Sequence, residues 1–238
     1  MNPYQKLLDR KRTWTPVKTT AGKVKEGAEA AIARALALRH MELPVGDFIE
    51  DALTNEVPAL SRELLKSNVK DEIKHDIALN FIADAYGVDE KAEAEAKRLQ
   101  QAWIAHPDHT ITKALVTERA IFFVLLPFFR YNGDAGMRTV SADVSRDEQI
   151  HVAANSLVHA ELGHNISPSL DKLRKATINW VMQPLGNVSS DRWLRKETWL
   201  NSSDNLMYQG KAPELTQTKS ARVPAFFEHN NVNLPQYS

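Results

Sequence analysis

The chain contains no cysteine. That excludes disulfides, zinc–thiolate sites, iron–sulfur clusters and thiol catalysis. Any metal must be held by carboxylate and imidazole, a donor set that suits iron, manganese or zinc. An excess of either charge is also missing, because 30 Lys and Arg balance 30 Asp and Glu. Neither nucleic acid nor an anionic membrane is therefore expected as a partner. Long apolar runs are absent as well. The longest, Ala120 to Phe129, is interrupted by Pro127 and is far too short to span a bilayer. The N-terminal stretch MNPYQKLLDRKRTW is charged throughout and has no apolar segment of signal-peptide type, so a cytoplasmic location is expected. Glycine is scarce, with 9 in 238 residues. No glycine-rich phosphate loop and no repeat of solenoid period is found.

What is present is helix-forming. Long stretches are rich in Ala, Leu, Glu, Lys and Arg. The pattern predicts a helix from about Gly22 to His40 that stops before Pro44, and a short one over Asp47 to Asn55. A long helix follows Pro58 and ends at Tyr86-Gly87, where Gly87 can take the left-handed position. Lys91 to His106 reads as a charged surface helix. Thr110 to Tyr131 is the most apolar one, with a kink expected at Pro127. Ala135 to Leu162 is long and stops at Gly163. Ser167-Pro168 supplies a cap and a first-turn proline for a helix to Met182, and Ser190 to Tyr208 makes one more. From Gly210 no pattern is visible. The expected organisation is a helical domain over 1–209 and an extended tail over 210–238 for partner docking.

Two segments match each other. Asp71-Glu72-Ile73-Lys74-His75 and Asp147-Glu148-Gln149-Ile150-His151 both read D-E-x-x-H, and both lie well inside long predicted helices. Residues i and i+3 share a helix face, so each segment can aim one carboxylate and one imidazole at the same point. A single E-x-x-H in a charged helix is commonly a coincidence on a solvated face. Two copies in separate long helices are not. Ferritin-like bundles with a dinuclear metal site use such a pair from each of two helices, plus one acid from each of the other two. Glu118, embedded in the most apolar helix, is one candidate. Glu29 is the other, since it shares a face with Ile32 and Leu36; Glu26 is its rival. Four glutamates, Glu29, Glu72, Glu118 and Glu148, balance two divalent ions, so the set with His75 and His151 can be buried as a neutral unit.

Val144-Ser145-Arg146-Asp147-Glu148-Gln149-Ile150-His151 resembles the R-D-E-x-x-H signature of the radical-generating small subunit of class I ribonucleotide reductase. Thr117 to Phe123 resembles the acid-bearing, aromatic-rich helix that precedes it in that family. The order along the chain (acid, E-x-x-H, acid, R-D-E-x-x-H) is the same over about residues 20 to 165. The chain is shorter than typical members and looks like the minimal versions carried by some bacteriophages. The resemblance implies an all-α, ferritin-like homodimer with a di-manganese, mixed manganese–iron or di-iron centre. That centre supplies an oxidising equivalent to a separate large subunit that reduces ribonucleotides. It further implies that Asp147 accepts a hydrogen bond from His75 and links it to a tryptophan on the radical path, for which Trp14 is the candidate.

One departure stands out. Many members of that family carry a radical-storing tyrosine four residues after the first ligand histidine, where this chain has Leu79. The resemblance then points to subgroups that keep the oxidising equivalent on the metals. The alternative is a stand-alone di-metal oxygenase or oxidase of the same fold, with the Phe-rich helix lining a substrate pocket. Val232, Leu234 and Tyr237 give the tail apolar anchors for docking on a partner, which the resemblance identifies as the large subunit. Tyr208 and Tyr237 are the candidates for a tyrosine relay.

Overall fold

The computed structural model describes residues 2–54 and 57–210. It is an all-α, ferritin-like bundle, and among the described residues no strand forms. The helices are α1 (Pro3–Leu8), α2 (Glu29–Ala37), α3 (Glu42–Thr54), α4 (Arg62–Tyr86), α5 (Glu90–Ala105), α6 (Thr110–Thr117), α7 (Phe123–Asn132), α8 (Ala135–Leu162), α9 (Pro168–Met182) and α10 (Lys196–Gln209). A wide π turn, Glu118–Phe122, joins α6 to α7. No helix among the described residues is long and apolar enough to cross a membrane.

Four of these elements close a ring, with α6 and α7 counted as one through the π turn that joins them. α3 packs on α4 and α6, α4 packs on α8, and α8 packs on α6 and α7. The two long helices, α4 and α8, carry the two D-E-x-x-H segments. Each stops where the chain supplies a glycine at positive φ, Gly87 at 94° and Gly163 at 68°. α8 starts on a side-chain cap, with Asp134 accepting from the Met137 amide at 2.9 Å. Outside the ring, α2, α5 and α9 pack on one another, and α10 lies across α9, α7 and the π turn.

The expected first helix, Gly22 to His40, is corrected. Regular winding begins only at Glu29, ends at Ala37, and passes through a tighter turn, Leu38–Met41, into α3. α3 begins at Glu42, ahead of the expected Asp47. Pro44 accounts for the second boundary: it does not stop a helix but occupies the first turn of α3, where an amide has no intrahelical partner to lose. The departure from regular winding expected at Pro127 falls earlier, in the π turn. Pro127 sits inside α7, and its missing N–H leaves the carbonyl of Phe123, directly after that turn, without its usual partner. Of the expected tail only Gly210 is described, as the left-handed cap of α10; Tyr237 and the docking anchors lie outside the described residues.

An aromatic cluster ties the outer layer to the ring. Trp199 on α10 is fully buried. It meets Phe128 edge-on at 5.2 Å and Trp193 at 5.5 Å between ring centroids. Its indole N–H donates to the Trp193 carbonyl at 3.0 Å. Truncating a buried tryptophan removes its transfer energy and leaves a cavity. Trp199→Ala is expected to cost about 3–5 kcal/mol, read as a lower urea midpoint at unchanged slope. An unchanged midpoint would contradict this packing.

Candidate metal centre

Six side chains from four elements converge in the middle of the ring. α3 gives Glu42, α4 gives Glu72 and His75, the π turn gives Glu118, and α8 gives Glu148 and His151. None is more than 1% exposed. Suitable atoms of Glu72, His75, Glu148 and His151 all lie within 4.8 Å of one another. His75 Nδ1 faces Glu148 at 3.4 Å, Glu42 at 3.6 Å and Glu72 at 3.6 Å. His151 Nδ1 faces Glu72 at 2.8 Å, Glu118 at 3.7 Å and Glu148 at 3.8 Å. Glu72 and Glu148 are thus shared between the imidazoles. Glu42 belongs to the His75 side and Glu118 to the His151 side.

The outer nitrogens point the other way and the pairing is crossed. His75 Nε2 meets Asp147 at 3.3 Å, and His151 Nε2 meets Asp71 at 3.2 Å. The aspartate of each motif therefore serves the histidine of the other. A carboxylate on Nε2 fixes the ring so that Nδ1 presents its lone pair to the centre. Beyond Asp147 lies Trp14, from the segment between α1 and α2, whose indole N–H donates to Asp147 Oδ2 at 2.6 Å. The Trp14 and His75 rings stack with centroids 6.1 Å apart. Beyond Asp71 lie two lysines, Lys11 and Lys74.

The charge pattern follows from burial. Desolvation pushes Glu42, Glu118 and Glu148 up, and the neighbouring carboxylates push the same way. Desolvation also acts on Glu72, but it is overcome by the attraction of His151 and His75, which brings that carboxyl down to about 2. Burial works against a charged His151, yet Glu72, Asp71 and Glu148 raise it to about 10. His75 is raised in the same manner by Asp147, Glu148, Glu42 and Glu72 against its own desolvation. Asp71 and Asp147 resist burial and stay below the usual carboxylate range, held by His151 and Lys11 in one case and by His75 and Trp14 in the other. Carboxyls this crowded either keep their protons or give them up to a cation held between them.

The donor set fits a pair of transition-metal ions on one further observation. Glu42 Oε2, both oxygens of Glu72 and of Glu148, Glu118 Oε1 and the Nδ1 atoms of both histidines are buried without a hydrogen bond of good geometry. They are the atoms that face the centre. Buried polar atoms are normally satisfied, and carboxylate oxygens with imidazole nitrogens are ligands for manganese, iron or zinc.

Five of the six ligands expected from sequence lie in this cluster. Glu29 does not. It is exposed at the start of α2, where its carboxylate accepts the Gly27 amide at 2.8 Å. The stripe beneath it, Ile32 and Leu36, is buried as expected, but the helix begins at Glu29 itself, so that residue takes a first-turn position facing water. Its rival Glu26 is exposed too. Glu42 occupies the place assigned to Glu29. Its signal was available: Val45 and Ile49, at i+3 and i+7, are fully buried and share its face. Asn155 was also missed; it donates to Glu118 Oε2 at 2.6 Å. Asp147 and Trp14 meet as described. Tyr208 is on α10, exposed, with its hydroxyl donating to Asp171 at 2.5 Å. The cations over its ring are those of Arg174 and Lys175, so it packs on α9 and stands apart from the cluster.

No protein-family model matches the sequence, and no curated protein matches it. Among solved structures, a chain from Bacillus halodurans described as a "putative class I ribonucleotide reductase" superposes with a TM-score of 0.61 at 14% identity. The match covers 92% of this chain and 98% of that one. At this identity the likeness shows the fold, which both chains share over nearly their whole length.

Glu42→Ala is expected to remove most metal binding measured by elemental analysis, whereas Glu29→Ala leaves it intact. The opposite ranking would reinstate Glu29. Loading the protein with divalent ions is expected to release protons, since carboxyls and imidazoles that burial and pairing keep protonated must give them up to bind. Calorimetry in buffers of different ionisation enthalpy checks this; a heat that does not depend on buffer would contradict it.

Proposed function

We propose that the chain is the small, radical-generating subunit of a ribonucleotide reductase, holding two manganese ions, manganese with iron, or two irons. The observation that carries this reading is the line Trp14–Asp147–His75, which leads from a two-metal ligand set to an oxidisable side chain on the far side of the imidazole. A metal-binding core alone would suit storage or an oxidase. An indole hydrogen-bonded to the carboxylate behind a ligand imidazole suits a protein that passes electrons.

Glu72 and Glu148, each facing both imidazoles, would hold the ions together with His75, His151, Glu42 and Glu118. Bound there, the ions would supply an oxidant activated by oxygen or a reduced oxygen species. The chain's own residues do the rest. Asp147 and Asp71 hold the imidazoles in register. Asn155 orients Glu118. Burial of all six side chains, none more than 1% exposed, keeps bulk water from the centre. Leu79 stands one turn beyond His75, where a tyrosine could have been oxidised, so the reading places the oxidising equivalent on the metals. Phe128 is committed to packing against Trp199, which leaves less of the Phe-rich helix to line the pocket that a stand-alone oxidase needs.

A homodimer, docking of residues 211–238 on a large subunit, and a relay through Tyr237 belong to the same proposal. Ribonucleoside di- or triphosphates would be the substrates of that large subunit. Electron paramagnetic resonance of activated protein should give a metal-centred signal that survives Tyr→Phe changes at all five tyrosines. A sharp organic radical lost in one of those variants would refute metal-centred storage. Deleting residues 211–238 is expected to abolish nucleotide reduction with the large subunit while leaving metal content unchanged. Full turnover by the truncated chain would overturn the docking role.

A further inference from the structure

The two aspartates behind the imidazoles end differently, and the difference falls on Trp14. Asp71 is held by Lys11 and Lys74, the latter with Nζ 2.5 Å from Asp71 Oδ1. Lys11 is also tied to Asn68, at 2.7 Å. Lys74 does more than pair with Asp71: its ammonium lies over the Trp14 ring, 5.6 Å from the centroid. Trp14 is thus flanked by groups of opposite charge. Asp147 takes its N–H at 2.6 Å, and Lys74 faces the ring.

We propose that Lys74 is a positioning residue that sets how readily Trp14 gives up an electron. The inference rests on the electron-passing role proposed above. In the step concerned, the indole loses one electron to a high-valent transition-metal ion in the adjoining centre, which is reduced by one unit. The indole becomes a radical cation, and its N–H stays in the hydrogen bond to Asp147. Before the step the ammonium is attracted to the electron-rich ring face. Afterwards two positive charges face each other in a partly desolvated setting, and the attraction becomes repulsion. Asp147 draws the positive charge onto the indole and Lys74 resists it. An anion at the N–H and a cation over the ring thereby define a threshold, which an oxidant must exceed before Trp14 responds. The same ammonium neutralises Asp71, so the brace behind His151 and the threshold at Trp14 share one cation.

The lysine pair supplies the control. Lys11 and Lys74 both hold Asp71, and Lys74 also lies over the Trp14 ring. The side chain of Lys74 is 26% exposed, so its replacement is compatible with folding. The experiment uses the full-length chain and a photogenerated ruthenium(III) polypyridyl oxidant, with tryptophan radical formation followed by transient absorption. The Trp14 contribution is the part lost in Trp14→Phe. Lys74→Met is expected to raise the Trp14-specific rate by about tenfold. Lys74→Arg, which keeps the charge, and Lys11→Met are expected to stay near the wild-type rate. An unchanged rate in Lys74→Met would overturn the proposal. So would an equal increase in Lys11→Met, which would mean that the effect passes through Asp71, or the absence of any Trp14-specific component. Metal content of the unmodified chain is measured on the same preparations. Binding of fewer than two ions would sink the proposed function, while the response of Trp14 to Lys74 is read independently of it.

Discussion

The crossed pairing of two aspartates with two histidines holds α4 against α8 and gives the centre its geometry. Within each D-E-x-x-H segment, the aspartate and the histidine are four residues apart and share a face. That face meets the equivalent face of the other helix, so Asp71 reaches His151 as Asp147 reaches His75. A slip of one helical turn would break both contacts at once and leave two buried aspartates and two buried imidazoles without partners. Such groups are costly to bury unpaired. The register is thereby fixed by the residues that the chemistry needs, and the glutamates between them are brought face to face as a consequence.

The other two glutamates of the cluster are supported differently, Glu118 from outside the ring and Glu42 from within it. Glu118 stands at the head of the π turn, and that turn is braced by α10. Ser203 donates to the carbonyl of Ala120 at 2.6 Å and itself accepts from the fully buried Arg174 at 2.6 Å. Arg174 is neutralised by Asp171 and Asp204, and Arg119 donates to the Leu206 carbonyl at 2.9 Å. A π turn at a ligand agrees with the general placement of such turns at functional sites. Glu42 has a simpler support: it opens α3, whose next two turns put Val45 and Ile49 into the core.

Much of this was legible in the sequence, and the parts that were not share a cause. The repeated D-E-x-x-H spacing identified two helices and four members of the buried cluster, because a motif defined by i, i+3 geometry carries its own structural context. Glu118 stood out as a lone acid in an apolar helix. Trp14 and Asp147 came from the resemblance and not from spacing, and the structure puts them in contact. The failure at Glu29 was an error about a helix boundary. The stripe argument used for Glu29 applies equally to Glu42, with Val45 and Ile49 in place of Ile32 and Leu36. Pro44 hides it, because a proline after a helical stretch reads as an end and here lies in the first turn of α3. A proline in the first turn and a proline beyond the last look alike until the caps on either side are settled. Lys11 and Lys74 carried no legible signal, since lysines in a charged helix are ordinary surface residues until their carboxylate is known to be buried.

The wide turn at Glu118–Phe122 has a further meaning for the chain as a string of letters. Each residue in an α-helix advances the face by about 100°, and a π turn accommodates one extra residue without advancing the rest of the helix. The apolar faces of α6 and α7 are therefore out of phase when counted along the sequence, though both pack on α8 in space. A relative with uninterrupted winding here would be one residue shorter across this stretch. An alignment that admits no gap would pair Glu118 or the residues after Phe122 with the wrong partners. One unplaced gap at Glu118–Phe122 is enough to weaken the sequence signal where it would be most informative.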